Sequence, residues 1–295
     1  CLTISMRYTY FMNDLKAYLY SVKQEDCAAD KWDYGLLKQF FNKNNIKPDK
    51  VTTLPNTDRA FVVIPGPQNV DYEDQISKEL NKIGRVVLFI TGDESATFKV
   101  DKIEHNNIEI WIQYPHRKHS QYNKLALGVP QHLSNNLPEY QDKSYDVFFS
   151  GQITHQRRQE LATVMPEIPN SFYNPTNGFA EGLKPKEYYD KMFMSKIVPC
   201  PSGAMVVDSF RFYEAIEMLC LPIGDKLNSK MKNTDFFNFL FEGNCAVKTF
   251  ENWQHLPDLL PKLLNNYTSE MHQIVCWWIK YKRDLFIELM RQVNA

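Results

Sequence analysis

Short apolar runs, each closed by a glycine or proline turn and separated by stretches of helical spacing, set the strongest limit on how this chain can fold. Ala60-Phe61-Val62-Val63-Ile64 ends at Pro65-Gly66-Pro67, and Arg85-Val86-Val87-Leu88-Phe89-Ile90 stops at Thr91-Gly92-Asp93-Glu94. Ile108-Glu109-Ile110-Trp111-Ile112 repeats the pattern. An unbroken apolar run has no polar face to offer water, so such runs are predicted as strands buried on both sides. Tyr34 to Phe41 and Asp71 to Ile83 carry the helical spacing. Strands alternating with helices predict a parallel sheet covered on both faces.

A polar stretch with Gly128, Pro130 and Pro138 then predicts a linker over 128–144, after which the rhythm restarts. Strands are predicted at Asp146–Phe149 (entering Gly151-Gln152), Lys196–Val198, Cys220–Ile223 and Cys245–Val247, with helices at His155–Val164, Lys186–Phe193 and Ser209–Leu219. A closing helix, Ser269 to Gln292, has the apolar stripe Ile274, Trp278, Tyr281, Leu285 and Leu289. At about 150 residues per domain, the 295 residues predict two. Residues 1–140 are expected as one Rossmann-like α/β domain, 141–268 as a second, and 269–295 as a helix crossing back to the first. Ligands of open α/β sheets bind beyond the carboxyl ends of the strands, so the loops there are the ones to inspect.

Composition closes off several classes. With 43% hydrophobic and 23% charged residues the chain is globular, and a net charge of −1 argues against a general polyanion binder. No apolar run approaches the roughly 18 residues of a membrane span. The first twenty residues lack the layout of a secretory signal, although a chain starting at Cys1 is expected to be trimmed. The six cysteines form no CxxC pattern, and the seven histidines are scattered. Reduced, mostly buried thiols, a cytoplasmic setting and no metal centre are the resulting expectations.

The most informative segment is Ser195–Gly224, SKIVPCPSGAMVVDSFRFYEAIEMLCLPIG. A strand ends at Pro199-Cys200-Pro201, Ser202-Gly203 makes a small-residue turn, and a helix begins near Asp208-Ser209. Such a turn leaves backbone N–H groups free beside the positive end of a helix dipole, which suits phosphate. At about 100° per residue, Phe212, Ile216, Leu219 and Cys220 share one side of the helix, and Arg211 and Glu214 fall outside it. From there Arg211 can reach a diphosphate and Glu214 a ribose. Spacing alone equally fits a surface helix whose Arg211 and Glu214 form an ion pair.

The same residues resemble the signature of exostosin-like glycosyltransferases. The matches are Cys200-Pro201-Ser202-Gly203, Asp208-Ser209-Phe210-Arg211, Glu214-Ala215-Ile216 and Cys220-Leu221-Pro222-Ile223. Upstream, Ser195-Lys196 and Phe148-Phe149-Ser150-Gly151 with Arg157 or Arg158 extend the likeness, which covers residues 145–224. The spacer between Gly203 and Ser209 is one residue longer than the pattern, and Leu219 stands where the family generally has glycine. The resemblance implies a GT-B architecture, two Rossmann-like domains with parallel sheets facing a central cleft. It also implies inverting transfer of a sugar from a nucleotide-diphosphate donor, a UDP-sugar foremost, to an acceptor hydroxyl, without an essential metal or other cofactor. Carried onto this chain, Arg211 would hold the diphosphate and Glu214 the ribose. Ser202, Gly203, Asp208 and Ser209 would lie beside the phosphates, and Gly151 with Arg157 or Arg158 would flank the donor.

Inverting transfer needs a base for the acceptor hydroxyl. Asp93 and Glu94 follow a strand in the N-terminal half and are the candidates, His116 or His119 the alternatives; Gly-Asp-Glu-Ser is equally good capping chemistry. Tyr114-Pro115-His116-Arg117-Lys118-His119 is basic and aromatic. His116, Arg117 and His119 are therefore candidates to bind an acidic saccharide or a nucleic-acid backbone. His155, after the Gly151 loop, either touches the donor phosphate or starts a helix. Two further readings stay open. One is a phage-type DNA glycosyltransferase acting on a hydroxymethylated base, so that modified DNA replaces the saccharide acceptor. The other is a non-catalytic nucleotide-binding scaffold of the same fold.

Overall fold

The computed structural model describes residues 15–23, 33–133, 136–178, 181–227 and 235–295. The chain packs as two compact units, one made of residues up to Ala126 together with Asp284–Ala295, the other of Leu127–Arg283. Each is a Rossmann-like α/β unit built on one parallel sheet. Cys1 and Cys27 lie outside the described residues; Cys200 and Cys220 are buried free thiols.

The first unit holds β1 (Lys16–Tyr20), β2 (Asp49–Val51), β3 (Thr57–Pro65), β4 (Ile83–Thr91), β5 (Ile108–Gln113) and β6 (Asn123–Leu125). Their order across the sheet is β2-β1-β3-β4-β5-β6. The helices α1 (Gly35–Lys43) and α2 (Glu73–Leu80) belong to it. β3 explains its own apolar run. Its even-numbered residues Ala60, Val62 and Ile64 join a core cluster with Ile76 and Leu80 of α2. Phe61 points the other way, with its ring 5.2 Å from Phe40 and 5.6 Å from Phe41 of α1. Both faces are dry, so alternation disappears from the sequence. At roughly 1.5–3 kcal/mol per buried large side chain, these rings are a main source of the unit's stability.

The second unit holds β7 (Tyr145–Gln152), β8 (Ser171–Thr176), β9 (Ser195–Cys200), β10 (Leu221–Asp225) and β11 (Lys248–Phe250). Their order is β11-β10-β9-β7-β8. The helices are α3 (Gln156–Val164), α4 (Pro185–Phe193), α5 (Phe210–Glu217), α6 (Phe236–Leu240) and α7 (Leu256–Asn265). A long helix, α8 (Tyr267–Val293), has its residues from Asp284 onward in the first unit. There Phe286 packs on Phe40 and Gln292 accepts from the Trp111 Nε1 at 2.8 Å.

Two expectations are corrected. The described residues of 128–144 are part of the second unit and not a linker; Leu127 N donates to Asp208 and Lys143 Nζ to the Met218 carbonyl. The last strand lies at Lys248–Phe250, three residues beyond Cys245–Val247, where the Phe250 ring packs against Trp253. Trp277 and Trp278 serve the second unit's own core, against Phe241 at 4.7 Å and Tyr213 at 5.0 Å.

Both sheets are wound alike. Counted within each unit, the strands run 2-1-3-4-5, with a sixth strand added in the first. In this order the chain reverses direction across the sheet between its first and third strands, and that switch point opens at the carboxyl edge. It falls between β1 and β3 in the first unit and between β7 and β9 in the second.

Candidate functional site

At the second unit's switch point, two loops leave the sheet side by side. One leaves β7 through Gly151 to α3, and the other leaves β9 through Ser202-Gly203 to α5. His155 is the N-cap of α3 and Ser209 the N-cap of α5, and neither side chain caps its helix. Two helix N-termini therefore keep their amides unspent by side chains at one edge.

Between them lies a set of buried polar atoms with no hydrogen-bond partner: Ser202 Oγ, Ser209 Oγ, Arg211 Nε and both ring nitrogens of His155. Ser202 is 0% exposed and Arg211 9%. Leaving such atoms unsatisfied costs about 1–3 kcal/mol each, and native proteins rarely tolerate a cluster without cause. Neighbouring contacts tie the set together. Ser202 N donates to Asp225 Oδ2 at 3.1 Å, and the Ser202 carbonyl favours a charged His155 ring. Arg211 Nη2 donates to the Ser150 carbonyl at 2.7 Å, with its guanidinium 4.6 Å over the Phe149 ring. Gly151 has a φ of +150°, and any Cβ there would run into Arg211 Nη2. The glycine lets the guanidinium lie flat against the end of β7.

The remaining residues expected at the donor divide sharply. Arg157 is committed to the frame. Its Nε donates to both carboxylate oxygens of Asp225 at 3.1 Å, its Nη2 to Asp225 Oδ1 at 2.6 Å and to the Glu251 carbonyl, and its Nη1 to Glu160. Asp225 also accepts from Trp253 Nε1 at 3.2 Å. Arg158, one residue on, is half-buried, with Nη1 on the Gln152 carbonyl. Asp208 is corrected likewise: its carboxylate accepts from Leu127 N, Ser209 N and Tyr213 Oη. It holds the loop ahead of α5.

Glu214 is not open to a ribose. It is 6% exposed and accepts from Tyr189 Oη at 2.7 Å and Tyr188 Oη at 3.1 Å, both from α4. Burial pushes its carboxyl up, against the pull of Tyr189, Arg211 and Tyr188. The surface-helix alternative also fails, because α5 is buried from Arg211 to Ile216. The sheet covers one side and the α4 tyrosines cover the other.

In the first unit, Asp93 is consumed by its own turn. Its carboxylate accepts from Thr97 N and Thr97 Oγ1 at 2.9 Å and from Phe98 N at 2.8 Å. This is capping chemistry rather than a poised base. Glu94 is half-buried, and its carbonyl meets His116 Nε2 at 3.0 Å. The basic loop folds onto the same edge. Lys118 Nζ donates to the Ala96 carbonyl at 2.7 Å, and His119 is buried and held down to about 4 by burial, Lys118 and His116. Of the expected acceptor-binding residues Arg117 stays exposed.

Sequence reasoning missed Asp33. It stands ahead of α1, where Tyr114 Oη donates to its Oδ1 at 3.0 Å and Gln113 Nε2 to its carbonyl at 2.7 Å. Burial pushes its carboxyl up to about 6, Tyr114 opposes this, and Glu94 adds to it. Tyr114 has a φ of +53°, a costly conformation for an aromatic residue. Only the spacing of Asp33 from the next helix marks it in the sequence, and that signal is common to many loops.

Among the described residues no group of three or more His, Cys, Asp or Glu side chains is placed to hold a metal ion. None of their helices is long and apolar enough to cross a membrane. Comparison with protein-family models and with curated proteins finds no match for the chain.

Proposed function

We propose that the chain is a glycosyltransferase that takes its sugar from a nucleoside-diphosphate donor, with the diphosphate held at the carboxyl edge of β7 and β9. The observation that carries this reading is the set of buried, unpartnered atoms on Ser202, Ser209, Arg211 and His155, beside two helix N-termini at the switch point. Hydroxyl, guanidinium and amide N–H groups are hydrogen-bond donors, and a diphosphate is an array of acceptors. A diphosphate leaving group gains negative charge as the glycosidic bond breaks, and fixed donors of this kind stabilise it. The motif resemblance over residues 145–224 points the same way.

Of the first unit's carboxylates, Asp33 suits a proton acceptor better than Asp93 does. A base works best with a pKa near the working pH, and Asp33 is raised toward it while Asp93 accepts three hydrogen bonds from its own turn. A saccharide hydroxyl is favoured over a DNA base as acceptor, because the loop of His116–His119 spends most of its polar groups on its own unit.

Calorimetric titration with UDP and with uridine tests the donor half. UDP should bind at least tenfold more tightly, since about 1.4 kcal/mol per tenfold is well within two charge-assisted hydrogen bonds. Equal affinities, or none, would remove the diphosphate from the site. Release of UDP from UDP-sugars on adding saccharide acceptors tests the transfer half. Binding without release across donors and acceptors would leave a nucleotide-binding scaffold.

A further inference from the structure

We infer that His155 takes up a proton when a diphosphate occupies this edge, so that binding is coupled to pH through one histidine. The inference rests on the donor site proposed between β7 and β9 and concerns how that site works. Its geometric basis is the position of the ring. His155 occupies the N-cap of α3 in the extended backbone conformation usual at that position, and its side chain makes no hydrogen bond to the first-turn amides. Both ring nitrogens are buried without a hydrogen-bond partner. On the β9–α5 loop the Ser202 carbonyl lies close enough to favour charge on the ring, and the Ser202 hydroxyl of the same loop is buried without a partner.

The charges acting on the ring come from two elements. Arg158 and Arg157 of α3 oppose protonation, and Asp225 at the end of β10 favours it. Asp225 is already bound to Arg157 and Ser202, so much of its charge is spent nearby. Without a ligand, burial dominates and the ring is held down to about 4. It is therefore neutral near pH 6, with one N–H donor and one bare acceptor nitrogen.

A diphosphate changes both terms. Its oxygens cannot donate to the bare nitrogen, so a neutral ring meets them with only one useful edge. Protonation turns that nitrogen into a second donor and places a cation beside two negative charges. No covalent step is involved; the proton comes from solvent. Arg158, which opposes protonation before binding, is also drawn to the diphosphate, and its effect on the ring is then offset by the ligand's charge. By linkage, a proton taken up on binding makes affinity fall as pH rises.

The test is calorimetric titration of UDP into the intact protein at pH 5.5, in buffers of different ionisation enthalpy, alongside His155→Gln. On binding UDP, the wild type should take up about half a proton or more in excess of what His155→Gln takes up, as expected for a ring shifted across the working pH. UDP's own terminal phosphate titrates in both proteins and cancels in the difference. His155→Gln should still bind UDP, with an affinity that depends less on pH between about 5.5 and 7.5. UDP binding with equal proton uptake in both proteins would overturn the inference and leave the donor site standing. No UDP binding in the wild type would overturn the site itself. A melting curve of His155→Gln without ligand separates loss of folding from loss of the ring.

Discussion

At the first unit's switch point Asn69 spends both ends of its amide on backbone, while at the second's two hydroxyls, a guanidinium nitrogen and an imidazole have nothing to bond. Asn69 is fully buried; its Nδ2 donates to the Pro65 carbonyl at 2.9 Å and its Oδ1 accepts from Val22 N at 3.0 Å. It stitches the ends of β1 and β3 together. The two sheets have the same winding, and topology alone would offer a ligand either edge. The proposed donor site therefore rests on the cluster of unmet hydrogen bonds and not on strand order; among the described residues, the first unit's one counterpart on β1 is the lone Tyr20 hydroxyl. The buried arginines make the same point within one unit. Arg157 is filled by Asp225 and belongs to the frame, while Arg211 keeps Nε unspent, as the proposed donor site requires.

The largest effect should come from breaking the frame. Asp225→Ala takes from Arg157 its fully buried carboxylate and leaves it Glu160 and the Glu251 carbonyl; breaking a buried pair typically costs about 3–5 kcal/mol, and urea unfolding would measure it. A loss under about 1 kcal/mol would mean that Arg157 finds water and is not committed to the frame. Next, Asn69→Ala leaves a buried carbonyl and a backbone N–H unpaired and should cost about 2–3 kcal/mol by the same measurement. A neutral result would erase the contrast between the two edges.

Asp33 gives a pH signature in the first unit. Its folded value, about 6, lies above the unfolded one of about 3.9, so the folded protein binds the proton more tightly. Its contribution to stability is complete below about pH 4 and lost as pH rises through 6. Asp33→Asn should therefore gain on the wild type across that window, by on the order of 2 kcal/mol at about pH 7, with the gap closing in acid. His119 and His155, both held down to about 4, have the opposite sign and cost stability as pH falls from about 6.5. Comparing the two curves removes them, and parallel curves would count against a raised Asp33. If Asp33 is also the base, the same variant should lose about 10²–10⁴-fold in transfer with UDP affinity unchanged.

The smallest effect sharpens the comparison most. Ser202→Ala removes a buried hydroxyl that has no partner, so the protein without UDP should be unchanged or steadier by up to about 1 kcal/mol. UDP affinity should fall by a similar amount, roughly fivefold. A site residue behaves in this way, and a frame residue such as Asn69 does the reverse.

Much of the framework is legible in the chain because doubly buried strands cannot hide. β3 and β4 announce themselves as apolar runs, and turns such as Pro65-Gly66-Pro67 mark their ends. The short edge strands β2 and β6, three residues each, do not. With one side open to water they carry Asp49, Lys50, Asn123 and Lys124, and only pairing with a neighbour makes them strands. In the site, the segment and its serines are legible, but which charges are spent is not. Arg157 and Arg158 are adjacent in sequence and about 100° apart on a helix, and only the position of Asp225 decides which one turns inward. Glu214 faces away from the sheet as its spacing predicts; its burial comes from Tyr188 and Tyr189, contributed by α4.

A crystal structure of the protein soaked with UDP tests the donor site most directly. Diphosphate oxygens should appear within hydrogen-bond distance of the Ser202 and Ser209 hydroxyls, with His155 and Arg158 turned toward them. UDP lodged at another edge, or these hydroxyls still unpartnered at saturating UDP, would contradict a donor site between β7 and β9.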